Sequence, residues 1–489
     1  MAQTIIHPPS IPNNTRVSNR GLFALLTFLL ILLLLAFRLA YGSFILDDAF
    51  ISFRYARNLA QGLGWVFNPA DPPILGTTTP LFTLILSSLN WLGFSLEGAS
   101  LWLSILSDGV SIGLLYLIGR QIHSPKLGLA AGLFIVLWPD YLAFSLSGLE
   151  TSFYVALLLT SFYFYLGTKP LLTGMALAFL VLTRPDGLIL VIVLAGYSWF
   201  MNRKIPWKML VSFLPLPLLW FGFATLYFGS PISQSIMAKA GTADNPLVSL
   251  FYLTRFFLWD YKFIPTGLVL LGIWRILKEP HYSLLRLPLI WSGFYALIFV
   301  LAGAFRNFNW YYTPLLPFYF LGLLIGLRFF KEDLIATRLK NLPKPLNWLV
   351  KWLALGVGIG LLVLVTVVQY QKLVEAVNGR EILYKTVVME QLQKLPPDEE
   401  VAAWEIGAVG YYCNCRVYDL MGLVTPKPPN KVILETIKQI KPTYVFGFDV
   451  HLKTETLASA WFQANYVLLK SQSVRILDQR TFYLFKRID

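Results

Sequence analysis

Long apolar runs alternate with short polar connections through most of the chain, and the alternation then stops. The runs fall at 21–41, 80–94, 99–119, 127–146, 151–167, 171–183, 187–201, 208–228, 262–277, 284–303, 310–328 and 349–368. About 20 apolar residues cross a bilayer as a helix, which 21–41 satisfies outright. Several runs are shorter and must tilt, re-enter or extend through neighbours. The run 80–94 opens on Pro80 and predicts a half-span or interfacial helix. Beyond residue 370 the pattern changes. Helical periodicity over 380–395, short strands at 401–404 and 417–418, a helix at 433–440 and a strand at 443–447 predict a small α/β domain. Residues 1–20 are polar and predict a disordered end. The expected architecture is mainly α: a polytopic helix bundle over 21–369, then a domain over 370–489.

Composition agrees with this reading. Of 489 residues, 56% are apolar and only 13% charged, unlike a soluble domain. The net charge of +14 does not imply nucleic-acid binding, because no Lys/Arg tract has that form. Basic loops on such a chain report orientation instead. Arg16 and Arg20, Arg120 and Lys126, Arg203 to Lys208, Arg275 and Lys278, and Arg328 to Lys351 cluster in short connections, which are expected in the cytoplasm. Parity then gives about eleven crossings, with the N-terminus inside and the tail outside. The loops 42–79 and 229–261 face outward with the tail. Cys413 and Cys415 stand too close for an ordinary disulfide framework, and two ligands alone make no zinc site; they read as structural.

The unusual polar residues gather in the outward loops: Asp47, Asp48, Glu150, Arg184, Asp186, Lys239 and Arg306. This segregation predicts a site on the outer face and argues against a channel, which wants polar groups along its spans. Asp47 and Asp48 open a helix just past the first span. Each suits either a general base or a helix cap. Asp47 and Arg54 are seven positions apart and share a helix face. Arg54 and Arg57 read as phosphate contacts or as interfacial anchors. Glu150, in Ser147-Gly148-Leu149-Glu150-Thr151, is a second acid of the site or an N-terminal cap. Arg184 and Asp186, in a tight Arg184-Pro185-Asp186-Gly187 turn, read as a mutual pair. Lys239 and Arg306 suit a phosphate at the outer leaflet, or lipid headgroups. There is no P-loop, no H-E-x-x-H and no Ser-His-Asp arrangement.

The run Asp47-Asp48-Ala49-Phe50-Ile51-Ser52-Phe53-Arg54-Tyr55-Ala56-Arg57-Asn58 resembles the polytopic glycosyltransferases of the GT-C class. It is most similar to the terminal arabinofuranosyltransferases of actinobacterial cell walls and their bacterial relatives. The segments Gly62–Pro69, Ser147–Thr151, Arg184–Gly187, Glu405–Tyr412 and Asp419–Val424 extend the resemblance. It implies an inverting transferase of a bacterial plasma membrane that moves a sugar from a polyprenyl-phosphate donor to a glycan, lipid or protein acceptor outside the cell. Asp47, Asp48 and Glu150 are then the expected catalytic carboxylates. Arg54, Arg57, Lys239 and Arg306 are the expected contacts of the donor phosphate. A divalent metal ion near the carboxylates is compatible with this chemistry, though no recognisable ligand set is present. The rival readings are a flippase for a lipid-linked sugar and a non-catalytic envelope-assembly protein.

Overall fold

Proline opens many of the helices in the computed structural model of the chain. It stands in the first turn of α3 (Pro80–Trp91), α5 (Pro125–Leu137), α6 (Pro139–Ser145), α8 (Pro170–Thr183), α11 (Pro215–Phe228) and α13 (Pro246–Leu258). There its missing N–H costs nothing and its fixed φ suits the helix. The other bundle helices are α1 (Ser18–Tyr41), α2 (Asp47–Ala60), α4 (Leu96–Gln121), α7 (Thr151–Leu166), α9 (Leu188–Asn202), α10 (Trp207–Phe213), α12 (Gln234–Ala240), α14 (Phe263–Lys278), α15 (Arg286–Leu301) and α16 (Leu316–Phe329). The structure describes residues 18–488 except for 43, 70, 241–243, 260–261, 307, 426–431, 476–478 and much of 332–382. The expected disordered end lies largely, and the last apolar run, 349–368, partly outside the described residues.

Among the described residues, six helical segments are long and apolar enough to cross a membrane, or eight if each bent pair is one span. The chain is therefore a multi-pass membrane protein. The bends were not foreseen. The run 127–146 breaks at Trp138-Pro139 by 65°, and the α13–α14 pair turns by 99°. Proline explains the first bend, since it removes a backbone donor and clashes with the preceding turn. Helix α3 has only 12 residues and does not count among the spans.

Close helix packing rests on small residues. A Cβ at Gly326 in α16 would fall 1.8 Å from the Leu268 carbonyl oxygen of α14. Only glycine permits this approach, in a solvent where apolar area alone does not drive helices together.

An ion pair lies inside the bundle. Arg38 of α1 and Asp108 of α4 are both fully buried, with Nη2 3.1 Å from Oδ2. Arg38 also donates to Ser145 Oγ at 3.0 Å and to the carbonyls of Ile135 and Val136 at 3.0 and 3.3 Å. Those carbonyls lose helical partners at the α5–α6 break. Tyr141 and Ser145 donate to Asp108 from α6. The spans thus do carry charge, contrary to the sequence expectation. It serves to close a broken helix, and burial is tolerable because each charged group is paired and hydrogen-bonded.

The tail forms a five-stranded sheet: β1 (Glu400–Ala403), β2 (Arg416–Asp419), β3 (Tyr444–Phe448), β4 (Tyr466–Arg475) and β5 (Gln479–Arg487), in the order β2-β1-β3-β5-β4. The β1 pairings are parallel, while β5 is antiparallel to β3 and β4. Strand β3 is buried along its whole length and reads as one apolar run, as a central strand should. The β4–β5 hairpin was missed because Lys470-Ser471-Gln472-Ser473 on its edge strand is polar. Cys413 and Cys415 are joined by a disulfide with Cα atoms 5.2 Å apart. This corrects the expectation from spacing, for the chain at Asn414 brings the two Cα atoms within ordinary bridging range.

The tail docks on α2 through the short helix α17 (Gly407–Tyr412). Phe50, Phe53, Tyr55, Trp65 and Phe67 share one apolar cluster with Ile406, Val409, Cys413 and Val424. The first loop and the tail therefore form one body.

Candidate active site

Asp47 and Asp48 occupy the first turn of α2 and diverge, because consecutive helical residues point about 100° apart. Asp47 turns to the tail. Its Oδ2 and Oδ1 accept the backbone N–H groups of Gly407 and Ala408, both at 2.8 Å. A Cβ at Gly407 would lie 1.8 Å from the Asp47 carbonyl oxygen, so only glycine allows the approach. Arg54 does share this face, and it too serves the tail. Its Nη2 donates to Asn68 Oδ1 at 3.1 Å and to the Cys415 carbonyl at 3.3 Å. Arg57 donates to the Tyr411 carbonyl at 2.6 Å.

Asp48 faces a cleft of about 310 Å³ at the end of the bundle covered by the tail. Its Oδ2 accepts from Lys239 Nζ of α12 at 2.9 Å, with both side chains partly exposed. Burial works against the Lys239 charge, but Asp48, Tyr311 and Glu150 outweigh it and hold the ammonium above its usual pKa. The ammonium also stands 4.7 Å above the Phe308 ring and 5.4 Å from the Trp310 ring centre. Helix α12 is held in place by the Gln234 N–H on the Leu75 carbonyl and by the Gln234 side chain on the Gly422 carbonyl of the tail, both 2.8 Å.

Arg184 closes the other side. Its turn, Pro185–Gly187, returns Asp186 beneath the guanidinium. Nη2 and Nε donate to the two Asp186 oxygens at 2.7 and 3.2 Å, and Tyr295 donates to Asp186 Oδ2 at 3.1 Å. The rings of Tyr154 and Tyr311 each lie 4.8 Å from the guanidinium carbon. Arg184 is 3% exposed and lines the cleft, and its Nη1 has no hydrogen-bond partner among the described residues. Burial works against its charge, but Asp186, Tyr295 and Glu150 outweigh this and keep it firmly cationic. Glu150, at the start of α7, stands 3.8 Å from Arg184 Nε. Burial pushes the Glu150 carboxyl up, and Arg184 opposes this without cancelling it.

Among the expected site residues the cleft thus unites Asp48, Glu150 and Lys239. Asp47, Arg54 and Arg57 hold the tail. Arg306 is half exposed and pairs with Asp244 at 3.1 Å, away from the cleft lining.

Comparison with known proteins bears on the whole chain. The structure of ArnT from Cupriavidus metallidurans bound to undecaprenyl phosphate superposes with a TM-score of 0.54 at 14% identity, covering 96% of this chain and 98% of that one. Its apo form gives 0.56 over the same shares at 14% identity. The Archaeoglobus fulgidus oligosaccharyltransferase in its apo form gives 0.55 at 12% identity, over 91% of this chain and 72% of that one. The chain has the GT-C fold. Residues 370–485 match a family described as a domain of unknown function, DUF8728. No curated protein matches by sequence.

A structure of the archaeal protein is described as a complex with Zn and sulfate. In this chain no three His, Cys, Asp or Glu side chains stand together as ligands among the described residues. The cleft carboxylates instead face Lys239 and Arg184. The residues present do not fit a tightly held metal, and no step below uses one.

Sequence reasoning read Arg184 and Asp186 as a mutual pair. They are paired, and Arg184 also lines the cleft. The hydroxyl loop Thr77-Thr78-Thr79 and the aromatic wall Phe308, Trp310 and Tyr311 also line it and were not singled out as site residues. A Thr-rich turn ending in proline was the available signal, but local sequence does not say which way such a turn faces.

Proposed function

We propose that the chain is an inverting glycosyltransferase that takes a sugar from a polyprenyl-phosphate donor on the extracytoplasmic side of a bacterial plasma membrane. The observation that carries this is the pairing, in one cleft, of a carboxylate on a helix end with two cations, one of them a buried arginine whose Nη1 has no hydrogen-bond partner among the described residues. The lipid chain of the donor would lie along the apolar bundle and its phosphate would meet Arg184 and Lys239. The kinship suggested by the first-loop motif, with terminal arabinofuranosyltransferases, belongs to this proposal.

The acceptor hydroxyl attacks the anomeric carbon from the face opposite the phosphate. Asp48 takes the hydroxyl proton as the new C–O bond forms. The bond from the anomeric carbon to the phosphate oxygen breaks, and its electron pair leaves with the polyprenyl phosphate. Arg184 and Lys239 stabilise the charge that grows there.

Donor binding tests the assignment. Lys239→Ala and Arg184→Gln are each expected to weaken binding of a polyprenyl-phosphate sugar by about 1.5–3 kcal/mol, the range for a hydrogen bond to a charged group. Arg306→Ala is expected to leave binding within about 0.5 kcal/mol, as for an exposed pair. Equal affinity in all three variants would reject these cations. A flippase would move the lipid-linked sugar between leaflets of a vesicle without covalent change; sugar transfer to an acceptor separates the two readings. Accessibility labelling of a cysteine introduced near residue 400 tests the orientation, with labelling in intact cells expected.

A further inference from the structure

We infer that the cleft contains a subsite for an uncharged, polyhydroxylated sugar, formed by Ser52, Thr77 and Thr79. The inference rests on the donor reading above and narrows it to a class of sugar.

The three hydroxyls are buried and line the cleft. Ser52 Oγ is 3.3 Å from both Thr77 Oγ1 and Thr79 Oγ1, which are 3.0 Å from each other, and Thr83 Oγ1 backs them 3.4 Å from Thr77. Ser52 lies one helical turn after Asp48, so the two share the cleft-facing side of α2. Ordinary structural duties account for only part of the cluster: Thr77 Oγ1 accepts the Thr79 N–H at 3.3 Å, a local turn bond. Thr79 sits at the N-cap of α3, where threonine usually caps, yet its side chain makes no cap bond. Ser52 sits inside a helix, where serine usually bonds back to its own backbone, and its hydroxyl turns to the threonines instead. Tyr55 holds the loop from behind, donating to the Ile74 carbonyl at 2.7 Å and accepting the Gly76 N–H at 3.1 Å.

A hydroxyl donates one hydrogen bond and accepts two, and its proton rotates to suit. A cluster of such groups can accept from one sugar hydroxyl and donate to the next without a fixed charge. Phe308 and Trp310, the rings beside the Lys239 ammonium, add apolar surface to the same lining. The charges point the same way. Asp48 faces Lys239, and Asp186 and Glu150 face Arg184, so an ammonium on the sugar would have to break one of these pairs. A carboxylate on the sugar would compete with the donor phosphate for the same two cations. A neutral sugar does neither.

The test uses the full-length protein in lipid nanodiscs. Bare polyprenyl phosphate is compared with the same lipid carrying a neutral hexose, an amino sugar or a uronic acid. The neutral sugar is expected to tighten binding at least about ten-fold over the bare lipid, and the charged sugars less, two or more added hydroxyl contacts accounting for that factor. Thr77→Val, Thr79→Val and Ser52→Ala should each remove roughly five-fold of that gain, with affinity for the bare lipid kept as evidence of folding. A charged sugar giving the largest gain, or a gain intact in all three variants, overturns the subsite. If a Val variant fails to hold the bare lipid, the comparison of the four lipids on the parent decides. If the parent binds no polyprenyl phosphate at all, the donor reading falls by itself. Saturation transfer to a methyl hexoside then decides the subsite. A transfer signal present with the parent and abolished by Ser52→Ala supports it; no signal with the parent, or the same signal with the variant, overturns it.

Discussion

Asp48→Asn is expected to lower sugar transfer by roughly 10²–10⁴-fold, the range for loss of a general base, while its neighbour behaves differently. The amide keeps the shape and still accepts from Lys239, so donor binding and folding should survive. It cannot take a proton at neutral pH. Asp47→Asn acts on another surface. It weakens the two N–H contacts to Gly407 and Ala408, each at 2.8 Å, and should lower thermal stability with a much smaller effect on the chemical step. A Gly407→Val variant should resemble Asp47→Asn, because its Cβ meets the Asp47 carbonyl. Single-turnover transfer at saturating donor, beside thermal unfolding in nanodiscs, reads both effects. If Asp47→Asn is the inactive enzyme and Asp48→Asn turns over normally, the cleft assignment is wrong.

Breaking the buried pair should be the costliest change in the bundle. Arg38→Met or Asp108→Asn strands groups that have no water to turn to, and about 3–5 kcal/mol of destabilisation is expected. Arg38 also carries the Ile135 and Val136 carbonyls at the helix break. A double variant, Arg38→Met with Asp108→Leu, should therefore recover only part of the loss: the charges are gone, but the two carbonyls and the Ser145 hydroxyl lose their partners. Activity should fall in parallel. Phe44 and Leu46, after α1, donate to the Leu146 and Ser147 carbonyls at 3.2 and 2.9 Å, so the segments leading to Asp48 and Glu150 rest on this brace. Unfolding midpoints within a degree of the parent in both single variants would rule the brace out.

Much of this protein was readable from order along the chain. Apolar runs of membrane length located the helices, since a span must satisfy its own backbone and shield it with apolar side chains. The change of period after residue 370 announced the tail, and its helix over Ile433–Ile440 and strands near 401, 417 and 444 are local patterns that hold in the structure. The concentration of unusual charges in a few loops pointed to one end of the bundle, and Asp48, Glu150 and Lys239 do meet there. What the sequence left open was direction. Asp47 and Asp48 are adjacent and chemically alike; only the docking of Gly407, 360 positions away, makes one a clamp and leaves the other facing the cleft. The same docking takes Arg54 and Arg57 out of the cleft, and the turn at Pro185–Gly187 brings Arg184 in. Arg38 and Asp108, 70 positions apart, gave no local sign of pairing. Hydrophobic periodicity is written residue by residue because every span meets the same solvent. The partner of a charge is set by distant segments that meet only when the bundle packs, and that meeting assigns each charged side chain its role.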